Sequence, residues 1–158
     1  MSLVGVVSDS HDHMENIRRA VRVFEEAGCG LVVHAGDVIS PFALKAFLEG
    51  RFELAAVYGN NDGERAGLAR LLPGICEGPL AVETPGGKRV LVAHERWRLP
   101  EDGGGADLMV FGHTHEAGLE ELGGVLVLNP GEACGYLTGR ATVALWDDKT
   151  GEARIIEL

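Results

Sequence analysis

Aspartate, histidine and asparagine recur in this chain at one kind of place, directly after short apolar runs. The run at 3–7 leads into Asp9-Ser10-His11, and the run at 31–34 into Gly36-Asp37. The run at 54–58 leads into Gly59-Asn60-Asn61-Asp62, that at 89–93 into His94-Glu95, and that at 108–111 into Gly112-His113-Thr114-His115. Imidazole, carboxylate and amide oxygen together suit manganese, iron, zinc or nickel, whereas calcium or magnesium alone would favour oxygen throughout. Asp9 and His11 are two residues apart, as are His113 and His115, and on extended backbone such pairs point the same way. Taken singly, each tag is what an ordinary turn would show. A turn arising independently at every tip would leave the recurrence of Asp and His unexplained.

The elements that must position these tags follow from periodicity. The run at 3–7 is valine-rich and reads as a buried strand, followed by Met14, Ile17, Val21 and Phe24 at helical spacing with Gly28 as the stop. A second strand at 31–34 precedes a helix that opens at Ser40-Pro41, Ser as cap and Pro in the first position, and runs to about residue 48. A third strand spans 54–58, and a short helix carrying Leu68, Leu71 and Leu72 ends at Pro73. From there strands dominate. Residues 80–83 and 89–93 flank Thr-Pro-Gly-Gly-Lys as a hairpin, Gly103-Gly104-Gly105 marks a loop, and 108–111 is another buried strand. Short strands follow at 118–122, 125–128, 142–146 and 153–158. One α/β domain over 1–158, two sheets face to face with helices outside, is the natural packing of that order. Side chains at the carboxyl ends of such strands share a crevice, and the glycines before Asp37, Asn60 and His113 let the backbone turn and approach a ligand.

A net charge of -10 argues against a general nucleic-acid binder, since a polyanion would be repelled over most of the surface. A hydrophobic fraction of 46% is ample for a core, yet no stretch approaches the ~20 apolar residues that span a bilayer. The start of the chain lacks the basic region of a signal peptide, and Cys29, Cys76 and Cys134 are scattered and odd in number. A cytoplasmic protein with free thiols is expected.

Together, Asp9-Ser10-His11, Gly36-Asp37, Gly59-Asn60-Asn61-Asp62, His94 and Gly112-His113-Thr114-His115 resemble, in order and spacing, the signature of the calcineurin-like metallophosphoesterase superfamily. The chain is most similar to the small single-domain bacterial and archaeal phosphodiesterases, and Asn129-Pro130-Gly131-Glu132 with 134–139 resembles a segment of that branch. The resemblance implies a four-layer sandwich of two mixed β-sheets flanked by α-helices. It also implies two divalent transition-metal ions, manganese first, with nickel, iron or zinc as substitutes. Asp9, His11 and His115 would hold one ion, Asn60, His94 and His113 the other, and Asp37 would bridge them. Water activated between the ions would attack a small phosphodiester. Two divalent ions against two carboxylates leave a positive surplus, so an acidic protein would still offer an anion-binding pocket. The alternative implied by the same fold is a non-catalytic scaffold like the retromer subunit.

The chain departs from the family pattern at Asn61, where many relatives have a histidine that assists the leaving group; asparagine cannot act as an acid. Asp62 either orients a neighbouring group or caps the helix after it. Arg96 or Arg98 is available for the substrate phosphate, Arg96 being the stronger candidate, and Trp97 is either a stacking platform or a core residue. Ser10 and Thr114 have turn roles, and His13 and His34 stand outside the ligand set. The strand-rich second half offers edges for a homo-oligomer. Without an acid at Asn61, a general-acid contribution of ~10²–10⁴-fold is absent. Aryl phosphodiesters are therefore expected to turn over faster than alkyl phosphomonoesters, which steady-state rates on the two classes will check.

Overall fold

The apolar runs pair as strands and the 3.6-period segments wind as helices in the order the pattern implies. The first half contains β1 (Leu3–Val7), α1 (Met14–Ala27), β2 (Leu31–His34), α2 (Pro41–Leu48), β3 (Glu53–Ala56) and α3 (Arg65–Leu71). The second half contains β4 (Leu80–Glu83), β5 (Arg89–Val92), β6 (Leu108–Val110), β7 (Gly118–Leu122), β8 (Val125–Asn129), β9 (Thr142–Asp147) and β10 (Ala153–Glu157). The computed structural model describes residues 3–158.

Two five-stranded sheets result, in the orders β10-β9-β1-β2-β3 and β4-β5-β6-β8-β7. β1, β2 and β3 are parallel, as are β5, β6 and β8, while the outer partners β9, β10, β4 and β7 run antiparallel to their neighbours. Every strand that leads into a ligand-type tag is therefore one of the parallel strands, whose neighbours end side by side. That is why tags far apart in sequence can meet.

Alternation along the strands sorts side chains into layers. Val4 and Val6 on β1, Leu31 and Val33 on β2, and Val92, Leu108 and Val110 on the facing sheet fill the space between the sheets. Val7, Val32 and Val143 turn the other way and pack on Ile17 and Phe24 of α1, Leu44 and Phe47 of α2 and Leu68 of α3. The outer face of the second sheet, Leu91, Met109 and Val127, is covered by Leu99 and Ala106 from the segment between β5 and β6. A buried side chain of this kind stabilises the fold by about 1.5–3 kcal/mol relative to exposure.

One local expectation is corrected, at Ser40, and of two alternatives for Asp62 the helix cap is removed. Ser40 sits at the N-cap of α2 but its side chain does not cap; Oγ donates to Asp12 Oδ1 at 2.5 Å, tying the loop after β1 to the helix start. Asp62 is not the cap of α3, which begins at Arg65 behind Glu64. The carboxylate is occupied elsewhere, as described below.

Close approach explains one glycine decisively. A Cβ on Gly112 would lie 1.9 Å from Ser8 Oγ and 2.6 Å from Asp9 Oδ2, so the strand tips of the two sheets can touch there only without a side chain. Gly112→Ala is expected to destabilise the protein by about 1–3 kcal/mol through overpacking, read as a lowered midpoint in chemical denaturation.

Candidate metal centre

The loops after β1 and β2 deliver two buried carboxylates. Asp9 Oδ2 accepts from Ser8 Oγ at 2.7 Å and from the His113 N–H at 3.0 Å, which fixes the group and leaves Oδ1 free. Among the described residues Asp9 Oδ1 and His11 Nε2 are buried polar atoms with no hydrogen-bond partner. Asp9 Oδ1 lies 3.3 Å from His115 Nε2 and 3.6 Å from His11 Nε2. Asp37 Oδ2 lies 3.4 Å from His11 Nε2 and 3.4 Å from His94 Nε2, so this one oxygen stands between two sets of ligands. On the far side, Asn60 Oδ1 is 2.9 Å from His94 Nε2 and 3.1 Å from His113 Nδ1. All seven tag residues thus converge, Asp9, His11 and His115 on one side and Asn60, His94 and His113 on the other, with Asp37 between.

Backbone strain accompanies this convergence. Asp9, His11, Asp37, His113 and His115 all have positive φ, between 40° and 67°. Asp and His enter the left-handed region more readily than most residues, yet so many at one place indicates surroundings that over-determine them. The expected sharp turn falls on Gly36, whose φ is 101°, and on the ligand-type residues themselves. At Gly59 the requirement is space: a Cβ would lie 2.1 Å from Asp37 Oδ1.

Electrostatics point to a cation. Burial alone would lower the pKa of His94, but the hydrogen bond and charge of Asp37, with the charge of Asp9, raise it to about 9. His11 is likewise raised, first by the neighbouring Asp9 carboxylate, against its own burial. Burial would raise Asp37, but the bond and charge of His94 and the donors of Asn61 outweigh it and hold the carboxyl well below the usual range. His94 Nδ1 donates to the Ala35 carbonyl at 2.7 Å, which aims Nε2 inward. The carboxylates thus favour positive charge on the His11 and His94 nitrogens that face them, and a divalent cation accepting all these lone pairs fits the donor set.

Further side chains hold the ligands in place. Asp62, 3% exposed, accepts from the N–H groups of Asp37 at 2.8 Å, Ile39 at 2.7 Å and Gly59 at 2.7 Å, clasping the loops after β2 and β3. Asn61 donates from its backbone to Asp37 Oδ1 and from Nδ2 to Asp37 Oδ2, each at 2.9 Å. Glu132 was not picked out as a functional residue from the sequence. Fully buried, it accepts from His115 Nδ1 at 2.5 Å and from the Leu137 and Thr138 N–H groups at 2.9 and 2.7 Å. That bond leaves His115 Nε2 free to face Asp9, the orienting arrangement common behind metal-ligating histidines. Asn129 donates to the Gly112 carbonyl at 3.1 Å and to Thr114 Oγ1 at 3.0 Å, bracing the loop that carries His113 and His115. The available signal for both was a sixth polar tag, Asn-Pro-Gly-Glu, at the end of β8.

The remaining expectations divide. His13 caps α1, its Nδ1 accepting from the Asn16 N–H. Buried His34 lies outside the cluster but bonds Ser10 Oγ at 2.9 Å, and burial pushes its pKa down to about 4, so it stays neutral. Arg96 is on the rim, paired with Glu120 at 2.5 Å, and Arg98 pairs with Glu95 at 3.0 Å. Trp97 is no core residue: it is 73% exposed, edge-on to the His113 ring with centroids 5.7 Å apart.

Two mixed sheets with polar tips gathered around paired ligand sets define the architecture of a metal-dependent phosphoesterase. The model of the calcineurin-like phosphoesterase superfamily domain matches residues 2–151, and the chain belongs to that superfamily. A phosphodiesterase of Methanocaldococcus jannaschii is 39% identical, the match covering 98% of each chain. The solved structure of an archaeal phosphodiesterase superposes with a TM-score of 0.89 at 37% identity, covering 99% of each chain. Vps29 of Entamoeba histolytica, solved with zinc, has a TM-score of 0.71 at 18% identity, covers 99% of this chain and 98% of its own, and shares the fold. Among the described residues no helix is long and apolar enough to cross a membrane.

Two outcomes are expected. Because His94 holds its proton up to about pH 9 in the metal-free protein, a cation must displace it. Metal loading at pH 7 should release protons, and apparent affinity should rise from pH 7 to 9, as calorimetry in buffers of different ionisation enthalpy will measure. Asp62→Ala strands three buried N–H groups, so it should cost on the order of 3 kcal/mol in denaturant unfolding, and Asp62→Asn less.

Proposed function

We propose that the chain is a phosphodiesterase acting on small diesters with two divalent transition-metal ions, manganese first and nickel, iron or zinc as substitutes. The observation that carries this reading is the position of Asp37 Oδ2, 3.4 Å from a nitrogen of each ligand set. Asp9, His11 and His115 would hold one ion, and Asn60, His94 and His113 the other, with Asp37 shared. Ions so held would supply an activated water and neutralise charge on the reacting phosphate.

The chain's own residues set the rest. Glu132 and the Ala35 carbonyl fix the tautomers of His115 and His94, so both rings present Nε2 without searching other orientations. Asp62 orients the Asp37 backbone instead of touching substrate, and Asn61 holds the Asp37 carboxylate and supplies no proton. Arg96, paired through Nε with Glu120, is a rim residue. The presence of a metal-competent side chain at all seven positions weighs for catalysis over a scaffold role. Net charge argues against nucleic-acid polymers as substrates, and three free thiols accord with a cytoplasmic setting.

The test is reconstitution of metal-free protein with Mn, Ni, Fe, Zn or Mg, assayed on bis(p-nitrophenyl) phosphate and p-nitrophenyl phosphate. At least one transition ion should restore turnover of the diester above that of the monoester. Asp37→Asn should lower kcat by about 100-fold or more, and full turnover in that variant would end the bridging assignment.

A further inference from the structure

A groove of about 450 Å³ leads away from the metal centre. It starts at Gly112 and His113, has Phe111 in its lining, and is walled by Trp97, on the 3-10 turn after β5, and Leu119 on β7. All of its lining belongs to the second sheet and that sheet's loops, whereas Asp9, His11, Asp37 and Asn60 come from the first. The groove therefore lies on the second-sheet side of the cluster and meets it at His113.

Its chemistry selects an uncharged, flat occupant. Trp97 is 73% exposed and Leu119 49%, so both leave apolar surface open along the groove. The one cation in the lining, Arg96, is taken by Glu120, and Glu116 adds a further negative charge. A second phosphate or carboxylate would be repelled there, while an aromatic ring gains stacking area on the indole. The place where the groove opens says which part of a diester can enter it. An in-line displacement would put the leaving oxygen on the side of phosphorus opposite the attacking water, so a groove that opens beside the cluster at His113 is open to the group that stays on phosphorus.

We propose that the Trp97–Leu119 groove is a subsite for an aromatic substituent retained on phosphorus, an aryl ring or a nucleobase stacked on Trp97, a proposal that rests on the phosphodiesterase reading. It makes Trp97 a specificity-determining residue for the bystander group of the substrate.

The test holds the leaving group constant. Methyl, phenyl and thymidine 5′-p-nitrophenyl phosphates all release p-nitrophenolate, so differences in kcat/KM among them report the bystander group. In the metal-loaded protein the phenyl and thymidine esters should be preferred to the methyl ester. Trp97→Ala should shrink that preference about tenfold, whatever it does to turnover common to all three, and Leu119→Ala should shrink it less. Both side chains are exposed, so neither variant threatens folding. A greater loss for the thymidine ester than for the phenyl ester identifies a nucleobase, and the reverse an aryl ring. A second readout needs no turnover: thymidine 5′-monophosphate or phenyl phosphate should quench Trp97 fluorescence, where inorganic phosphate should not. The other tryptophan, Trp146, is 2% exposed and silent to such probes. An unchanged preference in Trp97→Ala, or equal quenching by inorganic phosphate, would overturn the subsite. Were no diester turned over with any ion, ring-specific quenching would still uphold the groove while the activity reading fell.

Discussion

Two carboxylates buried in one pocket repel each other unless positive charge lies close by, and Asp9 and Asp37 are 0% and 1% exposed. In this chain the compensation comes from the His11 and His94 imidazoles, whose nitrogens sit 3.4 to 4.0 Å from those oxygens. Protonated rings serve when no ion is present, at the cost of directing hydrogens into a space where lone pairs also converge. A cation satisfies both the oxygens and the nitrogens at once. The surrounding structure is legible as a set of devices that keep this unfavourable crowd from relaxing.

Those devices come in pairs across the two sheets. Asp62 clasps the loops of β2 and β3, and Glu132 with Asn129 does the same for the loops of β6 and β8. Ser8 and the His113 N–H hold one oxygen of Asp9 so that the other cannot turn away. His34, neutral and buried, pins Ser10 between Asp9 and His11. Each clasp is itself a buried polar group that is fully bonded, so each adds rigidity without an unsatisfied atom. Preorganisation of this sort places the restraint in the fold before any ligand arrives.

Much of this was legible in the sequence because two periodicities and one rule of position suffice for it. Alternation and helical spacing locate the strands and helices to within a residue or two, and parallel strands end side by side, so tags on β1, β2, β3, β5 and β6 had to approach one another. Residue type then names the metal chemistry. The clasps were harder to see. Asp62 reads equally well as a helix cap, since an acidic residue shortly before a helix is what a cap looks like, and only the loop path shows that its oxygens face three N–H groups instead. Glu132 is a buried carboxylate whose partners lie 17 residues back and five to six residues ahead, a spacing with no local signature. The exposure of Trp97 was undecided for a related reason, because a tryptophan beside an apolar strand fits a core or a rim and the choice belongs to the loop geometry.

Strain and binding are linked through the same residues. Left-handed backbone at a non-glycine residue costs on the order of 1 kcal/mol, and five of the proposed ligands adopt it. The contiguous apolar layers on both faces of the first sheet offset that cost, since they hold the strand ends at fixed separations. An ion bound by the folded cradle and not by the unfolded chain would shift the balance further toward the fold. Packing of the parallel strands creates the crowded pocket, and that crowding favours a cation shared by all the lone pairs over a proton on one ring. Arrangement of the ligands is thus a property of the hydrophobic layers, and occupancy a property of the charges those layers force together.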